Sequence, residues 1–184
     1  MKKYFISTAA LFLFFIASYA QAEILTLSGP ISKDKKYDIY YMDSNGKMYQ
    51  LSVNFKSSER KEILKAYKSK QSLSVIAQYD RIVAGPKAGQ ILTNPAGAIV
   101  LKVLAIEKKG AGGIVTGTFR VAECGDACYF TFVDEEGKEQ MYYANFAELD
   151  AYLDNPTYKG KKVNIAWKAV GKKDRVAVAV DLVK

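Results

Sequence analysis

The stretch that decides the fold is YDIYYMDSNGKMYQLSVNF, Tyr37 to Phe55. Its first half alternates, with Ile39 and Tyr41 on one side and Tyr40 and Met42 on the other. Ser44, Asn45 and Gly46 interrupt the alternation, which resumes at Lys47. Residues two apart share a face of a strand, and a glycine in a short polar break supplies the positive φ of a tight turn. The reading is a β-hairpin, with Leu51 and Val53 joining Ile39 and Tyr41 inside. The phrase returns from Cys128 to Phe146 as CYFTFVDEEGKEQMYYANF. There Asp134, Gly137, Lys138, Asn145 and Phe146 fall on Asp43, Gly46, Lys47, Asn54 and Phe55. The chain reads as two copies of one small β-rich module.

Outward from the first hairpin, Glu23 to Leu27 is a short strand that Gly29 and Pro30 are expected to end. A polar loop, Ser32 to Lys36, leads into the hairpin. Asn54 is placed to cap a helix from Lys56 to Lys68, with Ile63, Leu64 and Tyr67 on its apolar face. Its other side carries Lys56, Arg60, Lys61, Lys65 and Lys68. A strand from Ser72 to Tyr79, a long connection from Asp80 to Gly97 and a strand from Ala98 to Glu107 complete the module. The last strand is apolar enough to be buried on much of both faces. Residues 108–113, KKGAGG, read as a flexible linker. In the second module strands are expected at Ile114–Val121, Cys128–Asp134, Lys138–Ala144, Lys162–Ala169 and Arg175–Val183. Val163, Ile165 and Trp167 alternate inward. A short helix from Asn145 to Leu153 opens on a capping box of Asn145 and Glu148.

Three strands, a helix and two strands in each half is an order that resembles the OB-fold. The expected fold class is mainly β: two tandem five-stranded OB-like barrels, over 23–107 and 114–184, each with one helix between strands three and four. Another small half-open β-barrel has the same elements. The resemblance implies a ligand surface on strands two and three, flanked by the loops after strands one and four. In module one this means Tyr40, Met42 and the Asp80–Gly97 connection. In module two it means Tyr129, Thr131, Tyr143 and the cysteine loop. Outward tyrosines suit stacking on sugar rings or bases, although tyrosine on a half-exposed sheet or between modules needs no ligand.

Residues 1–22 carry two lysines, an apolar run from Tyr4 to Ile16 and small residues at Ala20 and Ala22, the pattern of a cleaved signal peptide. An uncleaved anchor would want about 20 apolar residues, more than this run has. The expectation is an exported protein, periplasmic or secreted. Beyond residue 22 there are 25 basic and 19 acidic residues. Residues 23–110 hold 15 basic and 8 acidic, and residues 111–184 hold 10 and 11, so the modules differ in charge. The lysine-rich helix face could meet an anionic polymer, and a lysine excess also serves solubility alone.

Histidine is absent, which removes histidine general bases, Ser-His-Asp sites and imidazole zinc sites. The two cysteines, Cys124 and Cys128, are too few for a four-cysteine metal site. In an oxidising compartment they are expected to form a disulfide that fixes one loop. A redox-active pair and a two-thiolate site for a soft monovalent ion are the alternatives. No cofactor is expected. No carboxylate pair, activated nucleophile or phosphate loop appears at a catalytic spacing. The expected function is a non-enzymatic binding protein recognising an envelope component, glycan or protein. A structural or inhibitory protein–protein module and a thiol–disulfide oxidoreductase are the rivals. Nucleic acid, the familiar OB ligand, is not the expected partner in that compartment.

Overall fold

The structure, a computed structural model, describes residues 23–34, 38–82, 84–144, 158–171 and 174–183. The expected signal peptide over 1–22 and the expected second helix with Asn145 and Glu148 lie outside the described residues. The chain is mainly β, with ten strands and one helix among the described residues. No helix among them is long and apolar enough to cross a membrane.

In the first half β1 (Ile24–Asp34), β2 (Asp38–Met42), β3 (Met48–Ser52), β4 (Ser72–Tyr79) and β5 (Ile99–Ile106) close a barrel in the order β1-β2-β3-β5-β4. Helix α1 (Ser58–Ser69) lies between β3 and β4, and only β3 and β5 pair in parallel. Ile31, Ile39, Leu51, Ile63, Val75 and Leu101 fill the interior, Ile63 being the helix's contribution. The alternation read from the hairpin thus puts Ile39 and Leu51 where expected.

Two local expectations are corrected. Gly29 and Pro30 do not end β1, which runs through them to Asp34. From Ile24 to Pro30 it pairs with β4, and from Ile31 to Asp34 with β2. Proline therefore sits where the strand changes partner and one missing N–H is easily absorbed. Gly29 leaves room for the Tyr41 ring, which a Cβ there would approach to 3.0 Å. The helix cap is Ser57 rather than Asn54: Ser57 Oγ accepts from Arg60 N at 3.2 Å. The Asn54 carboxamide is already used, accepting from Lys56 N in the turn before the helix.

In the second half β6 (Gly112–Cys124), β7 (Cys128–Asp134), β8 (Glu139–Ala144), β9 (Lys162–Val170) and β10 (Asp174–Leu182) pair in the order β10-β8-β7-β6-β9. β9 returns to β10. The parallel link between β8 and β10 is two pairs long, Tyr143 with Val176 and Ala144 with Ala177. Phe119, Phe130, Phe132 and Tyr142 pack inside with Val163 and Ile165, Phe132 meeting Tyr142 edge-on at 5.1 Å.

The likeness between the halves extends to individual atoms. Asp43 Oδ1 accepts from Asn45 N and Lys47 N, each at 2.9 Å. Asp134 Oδ1 accepts from Glu136 N at 3.0 Å and Lys138 N at 2.8 Å. Gly46 and Gly137 close the two turns at φ 78° and 80°. The second carboxylate oxygen accepts from Tyr49 Oη in one turn and Gln140 Nε2 in the other.

The stretch read as a flexible linker is a hydrogen-bonded turn, in which Gly112 N donates to Lys108 O and Lys108 N to Gly112 O, both at 3.0 Å. Gly112 and Gly113 already belong to β6. A third buried cluster joins the halves: Ile76, Leu104 and Ala105 from the first, Ala166 and Ala179 from the second. This explains why β5 is apolar on both sides. Leu101 faces the barrel interior, while Leu104 and Ala105 face the second half.

Candidate functional site

The expected ligand residues fall into two groups. Tyr40 and Met42 lie on the first barrel, where Tyr40 is half-buried in register with Ser32 and Gln50, and exposed Met42 pairs with Met48. The Asp80–Gly97 connection is tied to this side by a 2.8 Å hydrogen bond from Asn94 Nδ2 to Gln50 Oε1. Tyr129, Thr131 and Tyr143 lie together on the second half.

Inward Phe130, Phe132 and Tyr142 fix which residues of β7 and β8 point out. Three rows result across β6, β7 and β8. The first is Glu123, Tyr129 and Tyr143; the second is Val121, Thr131 and Met141; the third is Thr118, Val133 and Glu139. A bulge between Phe119 and Val121 shifts β6 so that Val121 rather than Arg120 lies in register with Thr131. Val121 is 42% exposed, Met141 61% and Tyr143 41%. Thr131, expected as a contact residue, is buried between Val121 and Met141 and forms the floor of the middle row.

The rings of Tyr129 and Tyr143 lie 5.0 Å apart, tilted by 39°. A hydrogen bond with Tyr129 raises the Tyr143 phenol above its ordinary value, and the Asp174 carboxylate adds to this. Both effects keep the phenol protonated. At the end of the first row, Cys124 and Cys128 are bonded as a disulfide directly across the hairpin. The expected disulfide is present, and it fixes the loop next to Glu123 and Tyr129.

Of the expected basic surface, Lys56, Lys61, Lys65 and Lys68 are exposed, and Lys61, Lys65 and Lys68 line a shallow groove with Leu64 and Ser69. Arg60 does not belong to it. It is buried, its Nη2 donates to Asp38 Oδ2 at 2.9 Å, and its guanidinium stacks 4.1 Å over the Phe55 ring. A cleft of about 440 Å³ runs between the halves, lined by the charged Glu59, Glu62, Lys108 and Lys168 and by apolar Ile106 and Val170 among others. Lys168 Nζ donates to Glu59 Oε1 across it at 2.8 Å. Burial pushes the Glu59 carboxyl up, but Lys168, the backbone N–H and Ser57 outweigh this and hold it below its ordinary value.

Sequence reasoning missed Val121, Met141 and Glu123. The signal for Met141 was available: the turn between Asp134 and Lys138 sets the register, and that register puts Met141 opposite Thr131. Val121 and Glu123 depend on the bulge, which leaves no mark in the alternation. No protein-family model matches the chain, and a search of curated proteins finds no similar one.

Proposed function

We propose that this chain is an exported, non-enzymatic binding protein of two tandem OB-type barrels. The second barrel grips a component of the cell envelope, glycan or protein, through the outer face of β7 and β8 and the adjoining cysteine loop. One observation carries the reading. Val121, Met141 and Tyr143 stay open to water on strands whose opposite sides are filled by Phe130, Phe132 and Tyr142. Apolar surface left in water forgoes about 25 cal/mol per Å² of possible burial, so a contiguous patch of it suits an interface better than a bare surface.

The strand order of the first barrel and the paired turn carboxylates support a duplicated OB-type unit, whose ligand face would be this one. The disulfide supports an oxidising compartment, and the pattern of residues 1–22 supports export. The lysine ridge of α1 would add a second, salt-sensitive contact.

The test is a pull-down from native envelope by the purified protein, at low and high salt, beside a Tyr129→Ala/Tyr143→Ala double variant. The double variant is expected to lose the captured component while its circular dichroism stays unchanged. Equal capture by both proteins would sink the reading.

A further inference from the structure

The β6–β8 face has a chemical character that narrows what it takes. We propose that its occupant is a segment of a protein in which apolar residues alternate with lysine or arginine. The inference rests on this face being the binding surface.

The centre of the face is Val121 and Met141 over the methyl-bearing Thr131. A sugar ring wants a flat aromatic plane with hydrogen-bonding groups at its rim. This middle row offers no such plane, and the two tyrosine rings pack tilted on each other rather than lying open as parallel plates. Methionine is flexible and polarisable, and it moulds to apolar side chains of varied shape.

The margin is acidic. Glu123 stands beside Tyr129 at the β6 end of the first row, and Glu139 beside Val133 at the β8 end of the third. Asp174, in β10, acts electrostatically on Tyr143 from the remaining side. Against these three carboxylates stand the exposed bulge residue Arg120 and Lys162, which lies beside Thr118 at the β9 end of the third row and is paired with Glu135 at 2.9 Å. Carboxylates around paired tyrosines favour a cation, which gains from both the charges and the ring faces. A strand-like segment turns its apolar side chains to the rows, which lie about two residues apart. Its lysine or arginine side chains, directed the other way, are long enough to bend back to the carboxylates at the margin. An anionic glycan or nucleic acid would meet the same carboxylates as repulsion.

The test is an NMR titration of the purified protein, disulfide intact, carrying methyl-labelled methionine. The Met141 methyl is the reporter and Met42, on the other half, the internal control. The probes are a synthetic peptide alternating leucine with lysine, its leucine–glutamate counterpart, and an N-acetylglucosamine oligomer. The leucine–lysine peptide is expected to shift Met141 saturably, to spare Met42, and to bind roughly tenfold tighter than the glutamate peptide, with affinity falling as salt rises. Glu123→Lys with Glu139→Lys, both at exposed positions, should reverse the peptide preference; Glu139→Lys alone should weaken it.

The proposal fails if the glutamate peptide binds as tightly, if the charge-reversed variant keeps the original preference, or if neither peptide saturates. Saturation of Met141 by the oligosaccharide alone overturns the peptide inference and leaves the binding face standing. If no probe moves Met141 and envelope capture ignores Tyr129 and Tyr143, the face itself is wrong.

Discussion

The hairpin turn at Asp134 is built around its carboxylate. The backbone N–H of Lys138 is the largest cause, followed by the Gln140 amide, and together with the N–H of Glu136 they hold its carboxyl below the ordinary value. A carboxylate depressed in the folded state stabilises the fold above its unfolded pKa, and the benefit is lost as pH falls through the folded one. Asp134→Ala is therefore expected to lower the melting temperature at neutral pH. The gap from the parent protein should close as the solution is acidified below the usual carboxylate range, which thermal melts across a pH series would measure. A gap that stayed constant with pH would remove the charge from this account. The turn was legible in sequence because every atom it needs lies within the seven residues from Asp134 to Gln140. The fates of Asn54 and Arg60 were not legible. Arg60 points at Asp38 across the barrel wall, and Asn54 is claimed by its own turn before the helix can use it.

At the scale of elements, the long first strand and the join between the halves share a lesson about glycine. Gly112 reads as flexibility in sequence, yet its place is dictated by crowding: a Cβ there would lie 2.5 Å from the Ile106 carbonyl oxygen. Gly112→Ala should cost about 1–3 kcal/mol, because the close neighbour is backbone and cannot swing aside. Gly125→Ala is the control. It has ordinary φ and nothing within 4 Å, so its melting temperature should barely change. Similar melts for the two variants would restore the flexible linker. The β6–β7 hairpin makes the second case. Its disulfide closes a ring of five residues, for which chain entropy gives about 2 kcal/mol. Cys124→Ser/Cys128→Ser should thus melt roughly 4–8 °C lower in a chain of this size, with β-sheet circular dichroism retained. An unchanged melting temperature would show that the ring constrains nothing in the unfolded chain. The strand pattern was legible wherever one side faces a core. It failed where a strand changes partner, as at Pro30, or takes an extra residue, as at Arg120, since both events are set by neighbours distant in sequence.

For the whole molecule the two halves are one packed body. Ile76, Leu104, Ala105, Ala166 and Ala179 are all nearly inaccessible, which no tether between independent barrels would require. The Glu59–Lys168 pair bridges the same joint beside the cleft. Two consequences separate this from beads on a string. First, Leu104→Ala should lower stability by about 2–4 kcal/mol and split a single calorimetric transition into two, because it opens a cavity between the halves rather than within either. One transition in both proteins would mean that the halves remain coupled by other contacts. Second, Lys168→Ala leaves a buried Glu59 carboxylate without its cation. The cost is about 1–2 kcal/mol near neutral pH, kept low because Lys168 is itself partly exposed. Glu59 is depressed in the folded state, so the parent protein holds this advantage above the ordinary glutamate pKa and loses it as pH falls through the lowered one. Denaturant titrations of parent and variant should therefore converge in acid. If they differ equally at pH 3 and pH 7, the ion pair is not what couples α1 to β9.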